Sequence, residues 1–181
     1  MKKNLLIVGA GGHGKVVLDM AKSTKNYSEI AFLDDSKKIG DKVLGHEVIG
    51  KIPDMKLFKD NFTDIAIAIG NNEVRVELGK QALSIGYSLP IISHKSSIIS
   101  RYANIGNGTI IMPNVVVNAD AKIGELVILN SSSVIEYDCV VGDGAQISYG
   151  VILGSGVIVE DNYTVDMGIV IERNKYVKKI N

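Results

Sequence analysis

The chain has 181 residues, with 20 Lys and Arg against 20 Asp and Glu, three His and one Cys. This length allows one large domain or two small ones, and a formal net charge of zero gives no electrostatic reason to bind nucleic acid. The absence of any apolar run of 18 residues excludes a membrane-spanning helix, and the lone Cys139 excludes a disulfide framework and a cysteine-based metal site, so a soluble, cytoplasmic protein is expected.

The first half of the chain alternates strand and helix patterns. In chain order, we predict a strand over 4–8, a helix over 15–23, strands over 30–33 and 47–49, a short helix opened by Pro53 and Asp54, a strand over 63–69, a helix over 73–85 and a last strand over 89–92. In the second long helix Val74, Leu78 and Ala82 lie four residues apart, and Gly86 stands where a C-cap belongs. This order favours a small, mostly parallel sheet with helices on its faces.

A glycine-rich loop separates the first strand from the first helix. Residues 9–14 read GAGGHG, which satisfies G-x-G-x-x-G, and Asp34 follows Gly14 by twenty residues. Such glycines allow a diphosphate to approach the backbone at a helix N-terminus. A nicotinamide cofactor is disfavoured because the α/β pattern ends near residue 92, and a purely structural turn is the other alternative. His13 either donates to a phosphate or caps the helix, and the segment Gly70-Asn71-Asn72 is a second wall of the expected pocket.

The second half has a period of six residues. Counting in sixes from Ile99, fourteen consecutive positions hold Ile, Leu or Val: Ile99, Ile105, Ile111, Val117, Ile123, Leu129, Ile135, Val141, Ile147, Leu153, Val159, Val165, Ile171 and Val177. The residue two positions before each is mostly small, and both steps are even, so both residues face one side of a strand. This pattern predicts a hexapeptide parallel β-helix of about 4.7 coils whose hand the period does not specify. Cys139 falls in the small inward column, where it acts as filler.

These patterns together divide the chain into an α/β domain at 1–93 and a β-helix at 94–181. With residues 8–17 (VGAGGHGKVV), 32–35 (FLDD), 69–72 (IGNN) and 128–143, the chain resembles the bacterial sugar O/N-acyltransferases of the left-handed β-helix superfamily. The likeness is to sialic-acid O-acetyltransferases and nucleotide-amino-sugar N-acetyltransferases. It implies a Rossmann-like N-terminal domain that holds a nucleotide sugar, and acetyl-CoA bound between the subunits of a homotrimer, with no metal.

The resemblance also assigns site residues. It implies that the glycine loop faces the phosphates, that Asp34 and Asp35 face the base or ribose, and that residues of the later coils bind CoA. The nucleotide-sugar set is Gly9, Gly11, Gly12, His13, Asp34, Asp35, Gly70 and Asn71, and the CoA set is Gln146, Ser148, Gly150 and Gly154.

The catalytic turn departs from the family pattern. Where the family has its general-base histidine this chain has Tyr137, followed by Asp138, and a second family histidine is replaced by Gln146. A phenol loses its proton about three pH units above an imidazole, and loss of a positioned base costs on the order of 10²–10⁴ in rate. Asn130, in the preceding turn, is expected to touch the acceptor or the thioester oxygen.

Three functions remain open from the sequence. The first is an acetyl-CoA-dependent acyltransferase acting on a nucleotide-linked amino sugar or sialic acid in surface-glycan biosynthesis, with Tyr137 at the catalytic turn. The second is a catalytically silent, trimeric paralogue that binds nucleotide sugars, and the third is a dehydrogenase or epimerase that uses the glycine loop. The last proline is Pro113, so we expect the proline-containing C-terminal tail that helps to hold CoA in the family to be missing and the CoA cleft to be shortened.

Overall fold

A computed structural model of the chain describes residues 3–178, which fall into two units. The units are Met1–Pro90 and Ile91–Asn181. The division lies three residues before the boundary that the sequence predicts at 93/94. It does so because Ile92–Ser93 forms a strand that pairs with the β-helix of the second unit.

The first unit is built on a five-stranded sheet. Its strands are β1 (Lys3–Val8), β2 (Tyr27–Leu33), β3 (Lys42–Val43), β4 (His46–Gly50) and β5 (Asp64–Ile67), in the order β3-β4-β2-β1-β5. All pairs are parallel except the β3–β4 hairpin. Two helices, α1 (Gly12–Ser23) and α2 (Asn72–Ile85), and a 3₁₀ segment (Ile52–Phe58) complete the unit. The interior strand β1 is fully buried from Leu5 to Val8, as expected for a parallel sheet that is covered on both faces.

The structure differs from the sequence-based prediction of the first unit in three details. Helix α1 begins at Gly12 rather than at residue 15, so the glycine loop supplies its first turn. The strand expected over 89–92 is wrong, since the sheet gains only an isolated bridge between Asp64 and Ser88. In α2 the buried face holds Arg75, Gly79 and Ala82 and leaves Val74 exposed. The helix itself ends as predicted, with Gly86 at a φ of 98° and its N–H bonded to the Ala82 and Leu83 carbonyls.

The second unit is a triangular coil of two-residue strands. The strands are β6 (Ile92–Ser93), β7 (Ile98–Ile99), β8 (Asn104–Ile105), β9 (Ile110–Ile111), β10 (Val116–Val117), β11 (Lys122–Ile123), β12 (Ile128–Leu129), β13 (Val134–Ile135), β14 (Val140–Val141), β15 (Gln146–Ile147), β16 (Ile152–Leu153), β17 (Ile158–Val159), β18 (Thr164–Val165), β19 (Val170–Ile171) and β20 (Tyr176–Val177). They form three parallel sheets of five strands, each strand pairing with the one eighteen residues away.

Every position of the predicted period is the second residue of a strand, so the hexad prediction is confirmed. The described coil is one strand longer than the sequence suggests, because Ser93 occupies the position six residues before Ile99 and is not Ile, Leu or Val. Cys139 is buried, with its Sγ 3.2 Å from the Gly154 carbonyl oxygen, as expected of a filler residue.

The turns of the coil carry a second regularity. From Gly108 to Asn174, every sixth residue has a φ between 55° and 70°, including Asn114, Asp120, Leu126, Ser132, Asp138 and Asn162. Asn, Asp and Gly tolerate this left-handed conformation best, which explains the polar and glycine-rich turns. An α/β domain followed by three stacks of parallel strands is the architecture of the left-handed β-helix proteins, as the resemblance implies. Within residues 3–178, no helix has the length and apolar character needed to cross a bilayer.

Candidate functional site

The glycine loop lies where the strand order of the first unit reverses. Strands β2 and β5 flank β1 on opposite sides, so the segments that follow β1 and β5 meet at the carboxyl edge of the sheet. The Ala68 N–H donates to the Val8 carbonyl at 2.8 Å, which joins the two segments. In open α/β sheets this switch point is the usual position of a ligand crevice. The crevice between the glycine loop (residues 9–14) and the 69–72 loop is called the glycine-loop pocket below.

The loop glycines serve two different purposes. At Gly9, with a φ of 98°, an added Cβ would lie 2.7 Å from the Ala68 carbonyl oxygen, and at Gly14 it would overlap the Gly9 carbonyl. These two positions therefore need glycine for the contacts of β1 with β5 and α1. At Gly11, Gly12 and Gly70 an added Cβ would meet no atom within 4 Å. No internal packing requires glycine there, and the open space is what a closely approaching ligand needs.

The Asp34 carboxylate accepts hydrogen bonds from three backbone N–H groups and one side-chain hydroxyl. Its Oδ2 accepts from the Ala10 N–H at 2.7 Å, and its Oδ1 accepts from the Ser36 N–H and hydroxyl at 2.8 and 2.6 Å and from the Lys37 N–H at 3.0 Å. Burial opposes ionisation, but these donors outweigh it and lower the pKa of the Asp34 carboxyl below its usual value. Asp34 thus joins the glycine loop to the end of β2. Its contact with a base or ribose stays a prediction.

Asp35 and Asn71 lie at the same edge of the sheet. Asp35 is exposed, and its Oδ1 accepts from the Ile52 N–H at 2.9 Å. The Asn71 side chain is the N-cap of α2 and accepts from the Val74 N–H at 3.0 Å. The structure therefore brings Gly9, Gly11, Gly12, Asp34, Asp35, Gly70 and Asn71 to one edge of the sheet, while the contacts of these residues with a ligand stay predictions.

His13 and Arg75 supply the unusual electrostatics of this edge. The His13 Nε2 is buried and has no hydrogen-bond partner among residues 3–178. Helix α1 begins at Gly12 with Gly11 as its N-cap, so His13 is not the N-cap residue, and its donation to a phosphate stays a prediction. Burial and, second, the Arg75 charge lower the pKa of His13 to about 4, which keeps its imidazole neutral at pH 7.

Arg75 is the functional candidate that the sequence did not reveal. Its side chain is 0% exposed, and burial lowers the pKa of its guanidinium to about 10. The only signal in the sequence is the spacing of Arg75 with Gly79 and Ala82, which places a charge on the small-residue face of α2.

The second candidate region is the turn between β13 and β14. Tyr137 is 53% exposed, and Asp138 is exposed with a φ of 62°. Within the described chain no hydrogen bond joins the side chains of Tyr137 and Asp138. The neighbouring Glu136, which the sequence reasoning missed, is half-buried and its Oε2 accepts from the Asn118 Nδ2 at 3.0 Å. The turn thus presents a phenol between one fixed and one exposed carboxylate.

Asn130 lies in the wall of the coil rather than on its surface. Its side chain is 3% exposed, and its Nδ2 donates to the Ile147 carbonyl oxygen at 3.0 Å. This contact holds two successive coils together. The predicted contact of Asn130 with an acceptor or a thioester oxygen therefore draws no support from its position.

The four residues expected to bind CoA differ in their surroundings. Gln146 is half-buried on β15, Ser148 is buried and Gly150 is exposed, with no atom within 4 Å of an added Cβ. At Gly154 a Cβ would lie 2.8 Å from the Arg173 backbone nitrogen, so the packing of the next coil already explains this glycine. CoA binding by these residues stays a prediction.

No cluster of three His, Cys, Asp or Glu suited to a metal ion occurs within residues 3–178.

One outer face of the coil is apolar. The sheet of β7, β10, β13, β16 and β19 presents a β-branched residue as the first residue of each strand, namely Ile98, Val116, Val134, Ile152 and Val170. Ile98 and Val170 are 67% and 66% exposed. An apolar stripe of this length is unusual on a monomer and is typical of an interface.

Two family models match the chain. Residues 4–82 match the PglD N-terminal domain, and residues 102–137 match the bacterial transferase hexapeptide (six repeats) model. The first match covers the glycine loop and the part of α2 that carries Arg75, and the second ends at Tyr137.

Known proteins resemble the chain in sequence and in structure. UDP-N-acetylbacillosamine N-acetyltransferase of Bacillus subtilis (strain 168) is 36% identical over 120 residues, which are 61% of this chain and 51% of that protein. The chain thus spans about half the length of this curated relative.

Solved structures match nearly the whole chain. A variant of perosamine N-acetyltransferase from Caulobacter crescentus, with one histidine replaced by asparagine and in complex with CoA and GDP-perosamine, has a TM-score of 0.83 and 26% identity, covering 96% of this chain and 90% of that one. The acetyltransferase domain of PglB from Neisseria gonorrhoeae FA1090 has a TM-score of 0.73 and 30% identity, covering 96% and 98%. The same domain is also known in complex with acetyl coenzyme A.

Proposed function

Because the chain belongs to the sugar O/N-acyltransferase family of left-handed β-helix proteins, we propose that it transfers the acetyl group of acetyl-CoA to the amine of a nucleotide-linked amino sugar. The observation that carries the proposal is the match, over nearly the full chain, with an N-acetyltransferase that holds CoA and GDP-perosamine together. Both halves of this chain thus have counterparts in one protein that binds both ligands.

The nucleotide sugar binds in the glycine-loop pocket. Gly11, Gly12 and Gly70 leave space for a diphosphate, and the N-terminus of α1 favours its negative charge. Asp35, which is exposed beside this edge, is positioned to accept from a base or a ribose hydroxyl. The open backbone at Gly11 and Gly12 supports a diphosphate rather than a merely structural turn.

The acetyl transfer takes place at the turn that carries Tyr137. The sugar amine attacks the thioester carbonyl carbon, the C–S bond breaks, and CoA leaves as a thiol after taking up a proton. Glu136 and Asp138 attract the ammonium form of the amine and favour its approach. The ammonium loses one proton to solvent or to a carboxylate before the attack, and the nitrogen loses a second proton after the N–C bond has formed, while the departing thiolate takes up a proton. Because no histidine follows His94, the rate rests mainly on holding the amine against the thioester.

The catalytically silent alternative keeps one specific observation in its favour. Tyr137 stands where the family has its base, and residues 95–178 contain no histidine that replaces it. On this alternative the chain binds a nucleotide sugar in the same pocket without transferring an acetyl group.

The active unit is a homotrimer in the cytoplasm. The apolar stripe on the sheet of β13 supports association through the β-helix, because burial of five β-branched side chains is favourable. In an oligomer with closed rotational symmetry, every subunit buries this apolar face and none leaves it exposed to solvent. A cytoplasmic location agrees with a chain whose lone cysteine forms no disulfide.

The test is release of free thiol from acetyl-CoA. Purified chain is incubated with acetyl-CoA and a panel of UDP- and GDP-linked amino sugars, with sialic acid as an O-acetyl acceptor, and thiol is followed over time. Sugar-dependent release by the natural sequence supports the proposal. The matched variants are Tyr137→His, which restores the family base, and Tyr137→Phe, which removes the hydroxyl alone. Release by Tyr137→His but not by the natural sequence would establish the silent alternative.

A further inference from the structure

Burial of the charged Arg75 side chain is unfavourable, and packing alone does not explain why a charged residue is buried there. Arg75 is the largest of the fully buried side chains in the described chain, and its helix partners on the same face are the small Gly79 and Ala82. A guanidinium removed from water costs several kcal/mol unless its donors are satisfied. The position of Arg75 suggests a role, because its guanidinium donates to three acceptors in the 69–72 loop, which forms one wall of the glycine-loop pocket.

Arg75 ties that loop together at three points. Its Nη1 donates to the Ile69 and Gly70 carbonyl oxygens at 2.9 and 3.1 Å, and its Nη2 donates to the Asn72 Oδ1 at 2.8 Å. A planar guanidinium can hold three acceptors in fixed relative positions, which the single nitrogen of a lysine cannot do. The carbonyl of Ala68, directly before this loop, is the atom that requires glycine at position 9. The clamp on the 69–72 loop therefore also fixes the contact of this loop with the glycine loop.

The same guanidinium acts on His13. Arg75 is the charged group that opposes protonation of His13, and the His13 Nε2 is left buried and unpartnered within residues 3–178. An unsatisfied buried nitrogen costs stability, so its retention needs a reason outside the folded chain. A diphosphate oxygen would supply the missing partner for an N–H at this position, and the positive charge of Arg75 would favour the anion.

We infer that Arg75 is the positioning residue of the glycine-loop pocket, which clamps the 69–72 loop and holds neutral His13 ready to donate to the diphosphate of a sugar nucleotide. This inference rests on the proposed function, because it deepens the account of the same pocket. Arg75 itself is fully buried and acts through the loop and through His13 rather than by touching the ligand.

The test uses the full chain and three variants. Arg75→Gln removes the charge and most of the clamp, Arg75→Lys keeps the charge but loses the planar fork, and Asn72→Ala removes one acceptor while leaving Arg75 in place. Arg101→Gln, at an exposed arginine of the β-helix, is the matched control. UDP and GDP are the probes for calorimetric binding, acetyl-CoA is the second ligand, and the histidine rings are titrated by NMR.

The expected pattern separates positioning from stability. Arg75→Gln weakens binding of the better nucleotide about tenfold or more, leaves acetyl-CoA binding unchanged and raises the pKa of His13 above about 4. Arg75→Lys weakens nucleotide binding while the pKa of His13 stays low, and Asn72→Ala gives a smaller loss of binding.

Other results would overturn the inference. If the variants lower only the melting temperature while nucleotide affinity and the His13 titration stay at the natural values, Arg75 is a structural residue. If Arg75→Gln does not fold, Arg75→Lys and Asn72→Ala decide in the same way. A natural chain that binds neither UDP nor GDP would remove the pocket and the inference with it. A chain that binds nucleotide but releases no thiol would overturn the proposed acetyl transfer alone.

Discussion

Gly12 and Gly14, both in the glycine loop, provide a matched pair of substitutions with opposite expected effects. A Cβ added at Gly14 would overlap the Gly9 carbonyl oxygen and lie 3.0 Å from the carbonyl carbon. Gly9 cannot retreat freely, because its N–H donates to the Leu33 carbonyl at 2.8 Å and its φ is 98°. Relief therefore requires α1 to move away from β1 by on the order of 1 Å, which loosens the packing of Val17, Met20 and Ala21.

The expected cost of Gly14→Ala is about 3 kcal/mol in the free energy of unfolding, at the upper end of overpacking penalties because the obstacle is backbone. For a chain of this size that is a fall of roughly 6–12 °C in melting temperature. Gly12→Ala adds its methyl to open space at the first helical position, so stability should stay constant or rise by up to about 1 kcal/mol. The same methyl occupies the approach to the backbone, so affinity for UDP or GDP should fall at least about tenfold.

Thermal denaturation followed by circular dichroism, together with calorimetric titration of UDP and GDP, measures both effects on the same samples. A Gly14→Ala chain with an unchanged melting temperature would refute the packing argument. A Gly12→Ala chain that binds nucleotide as tightly as the natural sequence would refute the assignment of the open glycines to ligand approach.

Three further predictions concern the two units separately. Asp138→Val should destabilise the β-helix by about 1–2 kcal/mol in chemical denaturation, because a β-branched residue is strained at a φ of 62°, whereas Asp138→Gly should not; equal stability of the two variants would contradict the turn geometry. The pKa of His13 is about 4 in the folded chain and near 6.5 when unfolded, so the unfolded state binds more protons between these pH values. The free energy of unfolding should therefore fall by about 2 kcal/mol from pH 7 to pH 5, and His13→Gln should remove this part of the pH dependence. A pH profile that is the same in His13→Gln would contradict the low pKa of His13. Val134→Glu, on the apolar stripe, should dissociate the proposed trimer in sedimentation velocity, while Lys122→Glu, on another face of the coil, should not. A Val134→Glu chain that still forms a trimer of full stability would contradict an interface at this stripe.

The hexad period predicted the β-helix in detail because the coil repeats one physical requirement. Each inward residue must fill the same axial space, so Ile, Leu or Val recurs without interruption from Ile99 to Val177. The hexad period did not predict β6, because Ser93 lies at the end of the stack, where the axial position need not hold Ile, Leu or Val. The strand expected at 89–92 failed for a related reason: Ile92 is apolar in either fold, and only its pairing with Ile110 assigns it to the coil.

The candidate site was predictable only in part. The glycine loop and its partners after β2 and β5 follow from a spacing that reflects backbone geometry, and the structure places them at one edge of the sheet. The division of the glycines into packed and open positions depends on the distances to Ala68 and to α1, which the sequence does not carry. Arg75 was missed because a charged residue in a helix is ordinarily assigned to the solvent face, and the acceptors that permit its burial lie in another segment.

The turn that carries Tyr137, where we propose that acetyl transfer takes place, shows the opposite case. Its position was evident from the likeness of residues 128–143 to the family pattern, and Tyr137 lies on an exposed turn. What the sequence did not reveal is that Glu136 is held by Asn118 from the preceding coil, since contacts between coils join residues eighteen positions apart. The position of the Glu136 carboxylate therefore depends on a neighbour, Asn118, that only the fold identifies.

The activity we propose is acetyl transfer to a nucleotide-linked amino sugar by a chain that carries Tyr137 in place of the family base. Its most direct test is the rate of thiol release from acetyl-CoA by the natural sequence, with and without UDP- and GDP-linked amino sugars. We expect thiol release that requires one of these sugars and that increases about 10²–10⁴-fold in Tyr137→His, which restores the base. Binding of the sugar without any release by the natural sequence, together with release by Tyr137→His, would contradict the proposed activity.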